Sequence, residues 1–178
     1  MAENGCPEEF RPTWCKHCQS EAKFYKHGSF TRSVLTMEEL LEIKIFRFKC
    51  TACDKTCSVL PSFLRHNHTA ALDVQEHVVR SHSKGVALRV ISEQLPPQLA
   101  FSEKTLWRWA NYWYKLLDKL KPDFWPTVLA RFPHLLLPRG SNTPGSLWEW
   151  VFWVWGQTRL KLTDKPTGCF QWLTFQWR

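Results

Sequence analysis

IFRFKCTACDKTC, residues 45–57, holds a Cys50-x-x-Cys53 turn directly after an apolar stretch, and its reading decides the fold. A matching turn, WCKHC, lies upstream at residues 14–18 with Cys15 and Cys18. The 31 residues between the pairs are enough to send out and return a pair of strands. Zinc takes four thiolates at the corners of a tetrahedron, and a C-x2-C turn curls round one edge of it, so two such turns face to face complete the site. The expected metal ligands are therefore Cys15, Cys18, Cys50 and Cys53, and the expected cofactor is Zn²⁺. Four thiolates also suit an iron–sulfur cluster. A redox C-x2-C would open a helix after a buried strand, whereas Pro12 and Trp14 precede the first pair here. Lys16, Lys49 and Lys55 flank the pairs and offset the negative charge of a thiolate centre.

Outward from the knuckles, residues 14–60 read as short strands between turns. Phe24, Tyr25 and Phe30 mark one strand, with Gly28 at a turn. Ile43, Ile45, Phe46 and Phe48 mark another, whose imperfect alternation leaves both faces partly covered. The EELLEI run after Met37 offers one or two helical turns as an alternative, and its acids, Glu38, Glu39 and Glu42, turn that insertion away from nucleic acid. Cys57 is the nearest substitute ligand, but KTC places it as a small apolar residue before Val59 and Leu60. Cys6 and Cys169 are expected to be unligated. His66, His68, His77 and His82 could hold a second zinc, although solvated or capping histidines are the plainer expectation.

After Pro61 the pattern becomes helical. Spacing predicts helices over 70–81 and 86–94, the second stopped by Pro96 and Pro97. The third is the clearest: Ser102 as N-cap, then Leu106, Trp109, Trp113, Leu116 and Leu120 at three- and four-residue steps, with Pro122 as the stop. LPPQLAF joins the last two helices, a helix–turn–helix arrangement with a long turn. If the third helix enters a major groove, Lys104, Thr105, Trp107, Arg108 and Asn111 face base edges. Lys84, Arg89, Lys115 and Lys119 then reach phosphates. A solvated helical bundle gives the same pattern without any ligand.

Residues 122–178 hold seven of the eleven tryptophans. LWEWVFWVWGQ fits a buried helix or a strand equally well. RLKLT and CFQWLTFQW alternate, which suggests a terminal β-hairpin around Asp164–Gly168. The fold class expected is thus α+β: a small β zinc ribbon, a helix-turn-helix-like helical domain, and a Trp-rich C-terminal segment. The boundaries expected are a flexible arm over 1–13, the ribbon over 14–60, the helical domain over 61–121 and a packing or dimerisation segment over 122–178.

The 178 residues carry a formal charge of +8, unevenly spread. Residues 1–100 contribute +2 and residues 101–178 contribute +6, which centres any anion-steering field on the second half. The odd count of seven cysteines excludes a fully paired disulfide scaffold. No secretory apolar region follows Met1 and no run approaches a membrane span, so a reducing cytoplasmic setting is expected, nucleoid-associated if bacterial.

WCKHC, YKHGSFTR and IFRFKCTACDKTCSVLPSFL together resemble the N-terminal zinc ribbon of bacterial insertion-element transposases and related small proteins. The last element matches at Arg47, Cys50, Cys53, Lys55, Thr56 and Ser58, with Cys57 where an aromatic is common. Ser102–Trp109, reading S-x-x-T-L-x-R-W, is similar to the opening of a transposase recognition helix. The resemblance implies DNA-facing roles for Lys104, Thr105, Trp107 and Arg108. It covers residues 12–120, and the chain departs from it afterwards. A full transposase continues into a domain with three metal-binding carboxylates, whereas residues 121–178 contain only Asp123, Glu149 and Asp164. The expectation is a non-catalytic, zinc-stabilised protein that binds double-stranded DNA, a regulator or accessory factor related to mobile elements. The alternatives are a protein adapter or homodimer joined through residues 122–178, and a binder of single-stranded nucleic acid or RNA stacking bases on Trp14, Tyr25, Phe30 and Trp107.

Overall fold

The computed structural model describes residues 8–139, 143–161 and 168–176. Most of the expected N-terminal arm, Cys6 and most of the expected Asp164–Gly168 turn lie outside them. The chain forms two compact units, Met1–Ala71 and Leu72–Arg178, and the class is α+β.

In the first unit, β1 (Trp14–Cys15) pairs antiparallel with β2 (Ser20–Glu21). β3 (Phe24–Leu35), β4 (Leu40–Cys50) and β5 (Thr56–Val59) form an antiparallel sheet in that order. The long β3–β4 hairpin closes at Thr36, whose hydroxyl accepts from the Glu39 N–H at 3.0 Å and donates to the Glu39 carbonyl at 2.9 Å. The EELLEI run is therefore turn and strand rather than helix. Its Ile43 continues the period-two burial that leads to Ile45.

β4 buries opposite faces at its two ends. Towards the hairpin tip, Ile43 packs with Val34, Leu60, Phe63, Leu64 and Ala71. Towards the knuckles, Phe48 and Cys50 pack with Cys15, Phe24 and Cys57. Positions 43 and 48 differ in parity, so they point to opposite sides of the pleat. That is the physical origin of the imperfect alternation. Opposite this switch, β3 carries a bulge: Lys26 pairs with Phe48 and Gly28 with Arg47, leaving His27 extra. Gly28 takes φ +109, a conformation open to glycine and strained for other residues.

The second unit is helical: α1 (Leu72–Ser83), α2 (Leu88–Gln94), α3 (Glu103–Arg131), α4 (Leu147–Thr158) and α5 (Cys169–Gln176). Ser102 caps α3, accepting from the Thr105 N–H at 3.4 Å. The helix does not stop at Pro122. It runs through Pro122 and Pro126 to Arg131, because Phe124 and Val128 extend the buried stripe of Leu106, Trp113 and Leu117. Each proline inside a helix costs about 3 kcal/mol, and burial of a Phe and a Val, about 1.5–3 kcal/mol each, offsets much of the cost of the two. The expected boundary at 121 falls within this helix.

LWEWVFWVWGQ is helical, opened by a capping box in which Ser146 and Glu149 each accept from the other's backbone N–H. CFQWLTFQ is helical too, which corrects the terminal hairpin. Cys169, Phe170, Trp172 and Leu173 join one hydrophobic cluster, with Gln171 buried beside them, and their spacing of i, i+1, i+3 and i+4 is one a strand cannot point to one side. RLK, the start of the other expected strand, forms a 3-10 turn. Trp148, Trp155 and Trp172 lie in the core that joins α1, α3, α4 and α5, with Trp125, Trp150 and Trp153 packed against it. No helix among the described residues is long and apolar enough to cross a membrane.

Candidate metal centre and basic helical face

The two C-x2-C turns are built alike. In the first, the Gln19 N–H donates to the Cys15 carbonyl at 2.8 Å; in the second, the Asp54 N–H donates to the Cys50 carbonyl at 3.1 Å. The residue after each second cysteine turns left-handed, Gln19 at φ 52 and Asp54 at φ 58. β1–β2 presents the first turn and the β4–β5 connection presents the second. The four sulfurs of Cys15, Cys18, Cys50 and Cys53 lie within 4.8 Å of one another. Cys15 and Cys53 approach to 3.6 Å and Cys18 and Cys50 to 4.0 Å. A zinc ion with Zn–S bonds of ~2.3 Å sets tetrahedral sulfur edges of ~3.8 Å, and the cluster matches that size.

The electrostatics of the four thiols call for a cation. Cys15 is drawn down to about 6, first by the N–H of Cys18 and then by that of His17. At Cys53 the Lys55 N–H favours the thiolate, but burial and the neighbouring cysteines push the group up to about 12. Sulfurs this close cannot all carry charge alone; a divalent ion removes the conflict. Cys15 and Cys50 are buried, Cys53 is half-buried and Cys18 stands at the exposed rim. The donor set is that of a structural zinc site, all four corners supplied by protein.

Cys57 belongs to the apolar cluster under the knuckles, and burial raises its thiol. Cys169 is wholly buried in the helical core and raised by the same cause. The four cysteines are the one metal-type cluster among the described residues. His82 faces the Val86 carbonyl at 3.1 Å and the Tyr114 ring instead. Of the flanking lysines, Lys49 pairs with Asp54 at 2.8 Å, which raises its pKa.

α3 rests on α1 and α2 and presents one side to solvent. Leu106, Trp109, Ala110, Trp113 and Leu117 are buried. On the opposite side Lys104, Trp107, Arg108 and Lys115 are exposed, Asn111 is half-buried, and Lys119 lies on the flank. Asp118 sits towards the C-terminal end of this stripe. Thr105 is engaged in the cap, its hydroxyl 3.1 Å from that of Ser102. Lys84 is exposed just after α1, and Arg89 on α2 pairs with Glu93 at 3.1 Å. Tyr112, 41% exposed, flanks the same face and was not singled out by the sequence. Its position four residues after Arg108 was the available signal.

A family model described as a domain of unknown function (DUF6431) matches residues 15–109, from the first zinc-site cysteine to Trp109 on α3. No curated protein matches the chain. No solved structure matches it.

Proposed function

We propose that this chain, which belongs to the DUF6431 family, is a non-catalytic, zinc-stabilised protein that binds double-stranded DNA, a regulator or accessory factor of mobile-element type. The family description carries no activity, so the reading rests on the chain's own residues. The observation that carries it is the solvent face of α3, where Lys104, Trp107, Arg108, Asn111 and Lys115 stand opposite a fully buried stripe. Arginine or lysine meets guanine edges and asparagine meets adenine from such a face. Lys115, Lys119, Lys84 and Arg89 serve phosphates, which position the helix without specifying sequence. The zinc centre would couple metal binding to folding of the first unit. The resemblance of WCKHC, IFRFKCTACDKTCS and Ser102–Trp109 to the N-terminal region of insertion-element transposases supports the mobile-element assignment.

A protein-adapter reading now has a different basis from the tryptophans, several of which are in the core. It rests on Leu136 and Leu160, each 88% exposed.

The test is a salt titration of the purified, zinc-loaded chain against random duplex and single-stranded oligonucleotides, with Lys104→Ala and Arg108→Ala alongside. Duplex binding that falls as salt rises, and that weakens in both variants, is the expected result. Absence of duplex binding at low salt overturns the reading and moves the weight to the adapter.

A further inference from the structure

The sheet of the first unit has a half-face that the core does not use. Residues directly opposite one another in a sheet share a face. Tyr25 pairs with Lys49, Gly28 with Arg47 and Phe30 with Ile45, so Tyr25, Lys49, Arg47 and Phe30 lie on one side of the sheet. Further along β4, the same side is covered by Leu60, Phe63 and Leu64 against Val34 and Ile43. Towards the knuckles that covering stops. Tyr25 is 43% exposed and Phe30 41%, and Arg47 is exposed between them.

Rings and cations alternate on this open half. The Lys49 ammonium lies 5.9 Å from the Tyr25 ring centre and the Arg47 guanidinium 5.9 Å from that of Phe30. Gly28 has no side chain beside Arg47: a Cβ there would lie 3.6 Å from its guanidinium. Ser58 pairs with Arg47 across the sheet and places a hydroxyl in the same row. The carboxylate that meets this surface, Asp54, is bonded to Lys49. Glu38 and Glu39 lie at the distant hairpin tip, and Glu42 lies near it on the other side of β4. The surface is therefore aromatic at the knuckle end, with Arg47 and the Asp54-paired Lys49 as its cations and the acids of the hairpin tip held away from it.

We infer that this open half-face, Tyr25, Phe30, Arg47 and Lys49, is a binding surface for an unpaired DNA strand. Duplex bases are stacked on one another and hide their faces. Only an unpaired base can lay its ring on an exposed Phe or Tyr, and stacking of that kind is tolerant of sequence. Arg47 and Lys49, spaced two residues apart on one strand at ~6.8 Å, meet successive phosphates of the same strand, Lys49 by exchanging its exposed Asp54 partner. Charge complementarity selects a polyanion, and the two open rings select its single-stranded form. The inference goes beyond the duplex reading and does not depend on it.

The experiment measures anisotropy of a short fluorescein-labelled oligo(dT) and of a labelled random duplex with the full zinc-loaded chain. The variants are the Tyr25→Leu/Phe30→Leu double substitution, Arg47→Gln and Arg108→Ala. The ring variant is expected to weaken oligo(dT) binding by at least about five-fold while duplex binding holds. Arg108→Ala should do the reverse. Zinc content of one ion per chain in each variant confirms an intact knuckle, and Arg47→Gln carries the test if the double substitution loses its metal. Unchanged oligo(dT) affinity in both sheet variants overturns the inference, as does an equal loss of duplex binding. Tighter capture of oligo(rU) than oligo(dT) by the same surface overturns its assignment to DNA. Failure of Arg108→Ala to affect duplex binding counts against the α3 reading alone.

Discussion

The Glu76 carboxylate of α1 accepts the backbone N–H of Phe170, 94 residues later, at 3.2 Å. Its other oxygen holds Arg80 at 2.9 Å, and the Arg80 guanidinium lies 4.0 Å from the centre of the Phe152 ring. One acidic side chain thus satisfies an open N–H at the start of α5 and fixes the cation that covers α4. A carboxylate at a helix N-terminus is favourable for both the hydrogen bond and the dipole. Gly168 lies close beside it: a Cβ there would lie 2.8 Å from Glu76 Oε2, so the carboxylate would have to shift.

Glu76→Gln is expected to lower the stability of the helical unit by about 1–3 kcal/mol, the loss of a charge-assisted hydrogen bond at a mostly buried site. Gly168→Ala should cost less than that, because the clashing atom is the end of a flexible side chain that can shift at the expense of its hydrogen bond. The two effects should not add: Gly168→Ala placed in a Glu76→Ala background costs less, because the clashing oxygen is gone. Urea denaturation followed by the near-ultraviolet signal of the tryptophans measures these variants together with the Glu76→Ala single that the comparison requires. Strict additivity would show that the contact does not couple the two positions.

His68 supplies a pH dependence in the ribbon unit. Its pKa is lowered first by burial and then by Arg65 and Arg32, and Arg32 donates to the His68 carbonyl. A histidine with a depressed folded pKa binds its proton more readily when unfolded. The neutral form therefore contributes stability that is present above ~6.5 and is lost as pH falls through the folded value. Thermal melts of the zinc-loaded chain at successively lower pH should show this loss, and His68→Gln should flatten the part due to this residue. An identical profile in His68→Gln would remove His68 as the cause.

Legibility followed the range of the interactions. Both knuckles were readable because four cysteines at fixed local spacing admit few arrangements. The presence of strands in the ribbon was readable from apolar runs, but not their length: short strands with a turn at Gly28 were expected, whereas β3 runs through Gly28 as a bulge. The face switch between Ile45 and Phe48 was visible only as poor alternation. The Ser102 cap and the Leu106–Trp113 stripe were readable because helix periodicity is local. The end of α3 was not: Pro122 is a strong local stop, and what overrides it is burial of Phe124 and Val128 against partners far along the chain. CFQWLTFQ failed for the same reason. Its alternation resembles a strand over a short window, while the site that receives it is built by Glu76, Trp113 and Phe152.

That override gives a measurable consequence. Pro122 is exposed, lies within α3 and cannot donate to the carbonyl of Asp118. Pro122→Ala is expected to stabilise the helical unit by about 1–3 kcal/mol, because it restores the missing bond without touching the core. The urea midpoint should rise with the m-value unchanged. A drop in stability would mean that α3 needs the shape the proline imposes.

Zinc removal should separate the two units. Among the described residues, the ribbon unit has two small buried clusters: Cys15, Phe24, Phe48, Cys50 and Cys57 with their neighbours round the knuckles, and Val34, Leu64 and Ala71 with theirs towards the hairpin tip. The helical unit has its own large aromatic cluster. A strong chelator is expected to abolish amide protection across 14–60 while leaving protection along α1, α3 and α4. Hydrogen exchange read by mass spectrometry resolves the two segments. Cys50→Ser should reproduce the chelated pattern at any zinc concentration that saturates the native chain. Cys57→Ser should keep one zinc per chain and lose only some packing, by about 1–2 kcal/mol for a polar atom placed in an apolar cluster. Loss of metal in Cys57→Ser with retention in Cys50→Ser would reassign the fourth ligand. Protection across 14–60 that survives chelation would show a ribbon able to fold without its ion.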